Sequence, residues 1–192
     1  MRTNLSDGTI ALRKYRRSDI PLLYAAARES AGGEFTRWMP WCHEAYTAEE
    51  STAFVLTRAE AWAREEEYDF AIVDPKTRGF LGGVGLNQFN PNHQFANLGY
   101  WVRSSAMGRG IAPAAALLAA RFGFEELGLE RVEIVIAVEN GRSHRVAEKI
   151  GATREGILRN RLAIADRRDD AVMYSLIPGD LDKNAAAAKE DS

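Results

Sequence analysis

A glycine-rich turn at residues 107–113, Met-Gly-Arg-Gly-Ile-Ala-Pro, has the composition of an anion-binding loop. It lies between a β-prone run and an apolar helical run, so its amides precede a helix, where N–H groups have no intrahelical partner and the macrodipole is positive. Glycine at 108 and 110 lets an anion approach these amides closely. Pro113 has no N–H, so the donors come from residues 108–112. The segment predicts a cradle for a phosphate or diphosphate; an ordinary turn and helix cap is the alternative.

A second segment places Asn140 and Ser143 three residues apart, between an apolar strand and a short helix. A serine hydroxyl can donate a proton or a hydrogen bond, and an asparagine amide can orient a carbonyl group. The alternative is structural, with Asn140 in a turn and Ser143 as the helix cap. Both interpretations stay open at this point.

The chain lacks the spacings of other common catalytic and metal sites. The turn at 108–113 has no third glycine of a dinucleotide fingerprint and no Gly-Lys-Ser/Thr of a P-loop. The 3 histidines show no ligand spacing, and the single cysteine, Cys42, cannot form an internal disulfide. We therefore expect no metal site and no requirement for an oxidising compartment.

The hydrophobic pattern predicts a chain that changes from antiparallel hairpins to strand–helix alternation. Helices are expected from Pro21 to Arg28, after the capping box that begins at Thr47, from Pro113 to Leu127, and over residues 143–150. A long irregular segment covers residues 31–46. Strands are expected at residues 9–13, 69–74, 80–87, 98–103, 132–138, 157–164 and 171–177. These elements predict an α/β (α+β) fold with a mixed, mostly antiparallel central sheet flanked by helices.

Composition limits the class of protein. The chain has 192 residues with 46% hydrophobic and 27% charged side chains, and its net charge is −2. A single domain over residues 1–182 is expected, followed by a flexible tail at 183–192. The charge argues against direct nucleic-acid binding, and no apolar run reaches the roughly 20 residues of a membrane span. The N-terminus lacks an apolar signal core, so we expect a cytoplasmic protein that does not bind a membrane.

The two segments, in this order and about 30 residues apart, resemble the GCN5-related N-acetyltransferases (GNATs). Within that family the chain is similar to the branch of ribosomal-protein N-terminal acetyltransferases, the RimJ/RimL-like proteins, from about Leu12 to Leu176. The matching features are the loop from Met107 to Ala112, Asn140 with Ser143 and Gly151, Glu155–Gly156, Asp170 with Tyr174, and Trp38–Met39–Pro40–Trp41.

The resemblance implies the GNAT fold and acetyl-CoA as the co-substrate. Its pantetheine arm would pair with Trp101–Arg103 as an extra strand, and its diphosphate would lie on the 108–112 amides. Ser143 would protonate the leaving thiolate, and Asn140 would orient the pantetheine or the acetyl carbonyl. The residues expected to bind the coenzyme are Trp101, Val102, Arg103, Met107, Gly108, Arg109, Gly110, Ile111, Ala112, Asn140, Ser143 and Arg145.

The acceptor amine is expected to bind at the segment 31–46, through Glu34, Trp38, Trp41 and His43. The base is open among a water relay, Glu34 and His43. An α-amine, with a pKa near 7.7–8.0, needs less help than a lysine side chain. The chain departs from the family pattern at Met107, where Gln or Arg is usual, and at Asn97, where relatives often have Glu.

The sequence thus predicts an N-acetyltransferase whose acceptor is a protein N-terminal α-amine. A small amine, such as an amino acid, a polyamine or an amino sugar, is the second acceptor class. Two rivals remain: a non-catalytic acyl-CoA-binding module, and an unrelated nucleotide-binding βα protein. Relatives are often dimeric, so a homodimer is left open.

Overall fold

The computed structural model describes residues 1–181, so the predicted tail at 183–192 lies outside the described residues. One sheet contains eight strands: β1 (Asn4–Ser6), β2 (Ala11–Lys14), β3 (Tyr68–Val73), β4 (Phe80–Asn90), β5 (Phe95–Val102), β6 (Arg131–Ala137), β7 (Thr153–Ile164) and β8 (Arg167–Leu176). The helices are α1 (Ile20–Ser30), α2 (Gly33–Trp38), α3 (Ala48–Ala63), α4 (Ile111–Leu127) and α5 (Gly141–Lys149). None of these helices is long and apolar enough to cross a membrane.

The sheet order is β1-β2-β3-β4-β5-β6-β8-β7, and only the β5–β6 pair is parallel. This confirms the predicted mixed, mostly antiparallel sheet. The parallel pairing covers three residue pairs, from Phe95 with Arg131 to Asn97 with Glu133. Beyond Asn97, β5 continues along β4 and β6 continues along β8, so the two strands separate. The sheet therefore has an opening between β5 and β6.

The backbone of β5 presents hydrogen-bonding groups to this opening. The Arg103 amide donates to the Leu81 carbonyl oxygen at 2.9 Å, which marks these two residues as a hydrogen-bonded pair. Bonded and non-bonded pairs alternate along an antiparallel ladder. Tyr100 and Val102 therefore belong to non-bonded pairs with β4 residues. Their N–H and C=O groups point away from β4 and into the opening.

Helices cover both faces of the sheet. On one face α4 packs over Phe70, Leu86 and Leu98, and on the other α1 and α3 contact the face that carries Ala71 and Val73. The last turn of α3 brings Trp62 against a buried aromatic group with ring-centroid distances of 4.8–5.8 Å, formed by Trp62, Tyr68, Phe70 and Phe122. This contact fixes α3 and α4 to the centre of the sheet.

The structure differs from the sequence prediction in short elements. The segment predicted to be irregular contains α2, a six-residue helix that begins after Gly32 at a φ of 105°. A helix of that length has no periodicity to detect. The edge strand β1 was also missed, and α5 begins at Gly141 because Asn140, not Ser143, is its N-cap. The Thr47 capping box at the start of α3 is confirmed.

Truncating Phe122 to alanine is expected to lower the free energy of unfolding by about 3–5 kcal/mol. The ring is 1% exposed, so its removal leaves a cavity among Trp62, Tyr68 and Phe70. Urea denaturation measures this change. Leu56→Ala is the control, because Leu56 is 44% exposed on α3, and its effect should stay within about 0.5 kcal/mol. Equal effects of the two substitutions would contradict this assignment of the core.

Candidate active site

The opening between β5 and β6 widens into a cleft of about 510 Å³. Its walls come from α2, from the C-terminal part of β5, from the loop before α4, and from α5. The lining residues are Glu34, Phe35, Trp38, Met39, Tyr100, Trp101, Val102, Met107, Gly108, Gly110, Ala112, Pro113, Asn140, Arg142, Ser143, Arg145, Val146 and Lys149. The two segments singled out in the sequence thus face each other across one cleft.

The loop before α4 has the geometry of an anion cradle. Gly108 and Gly110 both have a φ of +75°, and a Cβ on either would have no heavy atom within 4 Å, so the space above them is open. Within residues 1–181, the amides of residues 108–112 make no intramolecular hydrogen bond. Five amides at the positive end of α4 fit a diphosphate, which needs several donors and tolerates no Cβ between itself and the backbone.

The opposite wall of the cleft is positively charged. Arg142, Arg145 and Lys149 of α5 line the cleft and are spaced three and four residues apart, which places them on one helical face. The Arg142 Nη1 atom lies 3.2 Å from the Met107 sulfur, and its Nε lies 3.3 Å from a Glu34 carboxylate oxygen. The Met107 side chain therefore contacts α5.

Hydrogen bonds from α1 hold the loop in place. Glu29 accepts from the Arg103 guanidinium at 2.9 Å and from the Ser105 amide at 2.7 Å, and the Ser30 hydroxyl accepts from the Ser104 amide at 3.0 Å. The Arg103 side chain lowers the pKa of Glu29 to about 2. The carboxylate therefore stays charged at neutral pH and fixes the turn that leads into the cradle.

The Ser143 hydroxyl forms a hydrogen-bonded pair with the Tyr100 hydroxyl. Its Oγ is 2.9 Å from the Tyr100 hydroxyl, and its amide donates to the Asn140 side-chain oxygen at 3.2 Å. Burial raises the pKa of Tyr100 to about 12, so its hydroxyl remains protonated at neutral pH. Asn140 is thus the cap of α5, and Ser143 presents its hydroxyl to the cleft.

Most of the predicted coenzyme residues meet at this cleft. Three do not line it: the Arg103 amide is used by β4, Ile111 is 4% exposed in the core, and Arg109 is exposed outside the cleft. Because the Tyr100 and Val102 backbones face the opening, they are the groups placed to pair with an extended ligand. The role of each residue in binding stays a prediction.

A second cavity, of about 490 Å³, lies beside the first. The two share Met39, Tyr100 and Trp101, so the end of β5 separates a cleft on one side from a cavity on the other. The second cavity is lined by six aromatic residues and two carboxylates among others; its lining is Tyr15, Leu23, Met39, Trp41, Tyr46, Glu50, Phe54, Asp69, Gly83, Val84, Gly85, Asn87, Gly99, Tyr100 and Trp101.

The predicted acceptor residues are distributed between these spaces. Trp41 lines the second cavity and packs on Trp101 at a centroid distance of 5.1 Å. Glu34 and Trp38 line the first cleft, and His43 lines neither, with its Nε2 3.3 Å from Glu50. No group of three or more His, Cys, Asp or Glu side chains within residues 1–181 could hold a metal ion.

Sequence reasoning missed Asp69, Tyr15 and Tyr100. Asp69 stands inside a strand pattern and carries no motif, and its position next to the cavity depends on its register against Gly85 of β4 and Gly99 of β5. Glycines inside a strand pattern, as at positions 83 and 85, indicate a bulge or a close backbone approach, and this is the signal in the sequence that could have located the cavity.

Comparison with known proteins identifies the family. The acetyltransferase (GNAT) domain profile matches residues 9–153, which include the cradle, Asn140 and Ser143. The chain therefore belongs to the GNAT acetyltransferase domain family, and the resemblance noted in the sequence is confirmed.

Three curated relatives illustrate the range of the family. YdaF of Bacillus subtilis carries the provisional name of a ribosomal N-acetyltransferase. It is 38% identical to this chain over 96 residues, which cover 50% of this chain and 52% of YdaF. The ribosomal-protein-serine acetyltransferase of Escherichia coli is 33% identical over 98 residues, 50% of this chain and 54% of that protein. The Escherichia coli spermidine N(1)-acetyltransferase is 28% identical over 113 residues, 55% and 61% of the two chains. The chain thus spans about half the length of the first two relatives.

Solved structures show the same fold over nearly the whole chain. RimL, a ribosomal L7/L12 alpha-N-protein acetyltransferase solved in complex with coenzyme A, superposes with a TM-score of 0.79 at 22% identity. The superposition covers 88% of this chain and 94% of RimL. This likeness confirms the GNAT fold class predicted from the sequence.

Gly110→Ala is expected to weaken coenzyme A binding at least about tenfold, since the methyl group would project into the space of the diphosphate. Isothermal titration calorimetry with coenzyme A measures the change. Gly128→Ala is a matched control: Gly128 caps the other end of α4 at a φ of +66° and also has nothing within 4 Å of a Cβ. Both variants should lose about 1 kcal/mol of stability from backbone strain. Unchanged affinity in Gly110→Ala would refute the cradle.

Proposed function

We propose that this protein is an N-acetyltransferase that moves the acetyl group of acetyl-CoA to a primary amine. The observation that supports this most strongly is the meeting of two different spaces at the end of β5. One is lined by the glycine-rich loop, through Gly108, Gly110 and Ala112, and by three cations, and the other by carboxylates and aromatic rings. An anionic donor and a cationic acceptor would meet beside Tyr100 and Trp101.

The first cleft suits the donor. The 108–112 amides, together with Arg142, Arg145 and Lys149, would hold its phosphates. The outward-facing backbone of Tyr100 and Val102 would pair with the amide groups of the pantetheine arm, as a strand pairs with an edge. Acetyl-CoA supplies an activated acyl group, and the chain supplies its orientation.

Ser143 would provide the proton for the departing sulfur. Its hydroxyl lines the cleft and is paired with Tyr100, which keeps its own proton because of its raised pKa. The protonated Tyr100 hydroxyl, 2.9 Å from Oγ, can donate a hydrogen bond to the Ser143 oxygen as that oxygen gives its proton to the sulfur. Asn140 holds the start of α5 so that Ser143 keeps this orientation.

The acceptor we favour is a protein N-terminal α-amine. Two relatives have names that describe ribosomal acetyltransferases, which supports an acceptor of that type. A small amine is the second candidate, favoured by the spermidine acetyltransferase among the relatives. A cytoplasmic location is part of the proposal, because ribosomal proteins are made there, and a homodimer stays a prediction.

An acceptor panel tests this proposal. Purified protein and acetyl-CoA are mixed with free-N-terminus peptides, spermidine, amino acids or an amino sugar, and release of free coenzyme A thiol is followed. We expect turnover with unblocked peptides and none with the same peptides acetylated at the N-terminus. Turnover with small amines alone would transfer the proposal to that acceptor class. Coenzyme A binding without turnover for any amine would indicate a non-catalytic module.

Ser143→Ala is expected to lower kcat by about 10²-fold while the affinity for coenzyme A stays within about twofold, since only proton donation is removed. Tyr100→Phe should give a smaller loss, because it removes the partner and leaves the donor. Steady-state kinetics with the best acceptor measure both effects. An unchanged kcat in Ser143→Ala would eliminate Ser143 as the acid.

A further inference from the structure

The second cavity contains a carboxylate whose position is made possible by glycine. Asp69 of β3 pairs with Gly85 of β4, and Gly85 pairs with Gly99 of β5, so the three residues form one row across the sheet. A Cβ on Gly85 would lie 2.1 Å from Asp69 Oδ1, so the carboxylate occupies the space that a side chain would take. A Cβ on Gly99 would have nothing within 4 Å. A strip of sheet surface without side chains, which we call the lane, therefore runs from Asp69 over Gly85 to Gly99 of β5.

One oxygen of Asp69 is available to a ligand. Oδ2 accepts from the Arg58 guanidinium of α3, which also contacts Glu67. No donor to Oδ1 is present among residues 1–181. Arg58 and Glu67 do not line the cavity. The ion pair thus fixes the carboxylate from behind while Oδ1 lies over Gly85 and faces the lane.

The surroundings favour a cationic ligand. Both charged side chains that line the cavity, Asp69 and Glu50, are acidic. The other walls include the rings of Tyr15, Trp41, Tyr46 and Phe54, whose faces attract an ammonium group. A primary amine in water at neutral pH is mostly such a cation, so the cavity is suited to the form in which the acceptor arrives.

The lane has the length that a proton transfer to Asp69 requires. Directly opposed residues of an antiparallel pair have Cα atoms about 4.5–5.5 Å apart. A nitrogen above Gly99, beside Tyr100 and Trp101, is therefore within a direct hydrogen bond or one water molecule of Oδ1 above Gly85. Glu34 and His43 do not line this cavity, and Asn97 has no carboxylate.

We propose that Asp69 binds the acceptor as its ammonium form and takes one proton from it before the amine attacks. This inference rests on the proposed function. The carboxylate becomes a carboxylic acid and the ammonium becomes a neutral amine. The nitrogen then bonds to the acetyl carbon, the carbon–sulfur bond breaks, and the sulfur takes a proton from Ser143. The nitrogen then loses a second proton, which re-protonates Ser143, and Asp69 releases the proton that it took to water.

Electrostatics around Asp69 is consistent with this role. Burial raises the pKa of Asp69 above its usual value, although Arg58 opposes the shift. The other groups that face it are Tyr15 after β2, Glu67 before β3, and Glu50 from the first turn of α3. A raised carboxyl pKa narrows the gap to an α-ammonium group and makes the transfer easier.

Asp69→Asn tests the proposal through the pH dependence of kcat/KM. At pH 6.5 we expect a loss of about 10²-fold. That loss should shrink at least about 20-fold at pH 9.5, because the neutral fraction of an amine of pKa 7.7–8.0, which the variant needs, rises from about 4% to about 97%, while the ammonium form that the wild type binds declines. The matched control is Glu60→Gln, which removes an exposed carboxylate of α3 that pairs with Arg64 outside the cavity and should stay within about twofold of wild type at both pH values.

An unchanged kcat/KM at pH 6.5, or a loss of equal size at both pH values, would overturn the role of Asp69 and leave the acetyltransferase proposal intact. Failure of the wild type to acetylate any amine would instead overturn the proposed function, and this inference with it. Coenzyme A titration of each variant shows whether the fold is retained.

Gly99→Ala provides an independent test if Asp69→Asn does not fold. Its methyl group meets no neighbour, yet it projects into the lane that the ammonium group must occupy. We expect KM for the acceptor to rise at least about fivefold with the coenzyme A affinity unchanged. An unaltered acceptor KM would contradict the proposed path between Asp69 and β5.

Discussion

The separation of β5 from β6 beyond Asn97 is the constraint on which the rest of the structure depends. A sheet satisfies its backbone groups by pairing, so a strand that leaves its neighbour exposes amides and carbonyls that need another partner. Here β5 keeps β4 on one edge and loses β6 on the other over Tyr100 and Val102. The same divergence leaves room for α5 and for the loop before α4 to meet across the opening.

Glycine determines what can enter on each side of β5. At the loop, Gly108 and Gly110 adopt a left-handed backbone, and the amides of residues 108–112 have no hydrogen-bond acceptor in the described part of the chain. On the sheet, Gly85 and Gly99 leave a row of bare backbone beside Asp69. The first set favours an anion and the second a cation. The two chemistries meet at Trp101, whose ring contacts three other aromatic side chains, edge-on or tilted, at centroid distances of 5.1–6.3 Å.

Local patterns were sufficient to predict the sheet class and the α3 capping box, because each depends on residues close together in the sequence. The cap of α5 was less accessible, since Asn140 and Ser143 both have capping side chains and only the geometry distinguishes them. Asp69 was not predictable as a site residue, because it carries no motif and its place in a row with Gly85 and Gly99 depends on the exact register of three strands. The helix α2 was not predicted because its six residues are too few to show a helical periodicity of hydrophobic residues.

The most direct test of the account is a crystal structure of the protein with acetyl-CoA bound. The account predicts that the diphosphate contacts the amides of residues 108–112, that the pantetheine arm lies along Tyr100 and Val102, and that the thioester ends where the two cavities meet. A coenzyme bound at another surface, or a cleft that stays empty at saturating coenzyme, would contradict it.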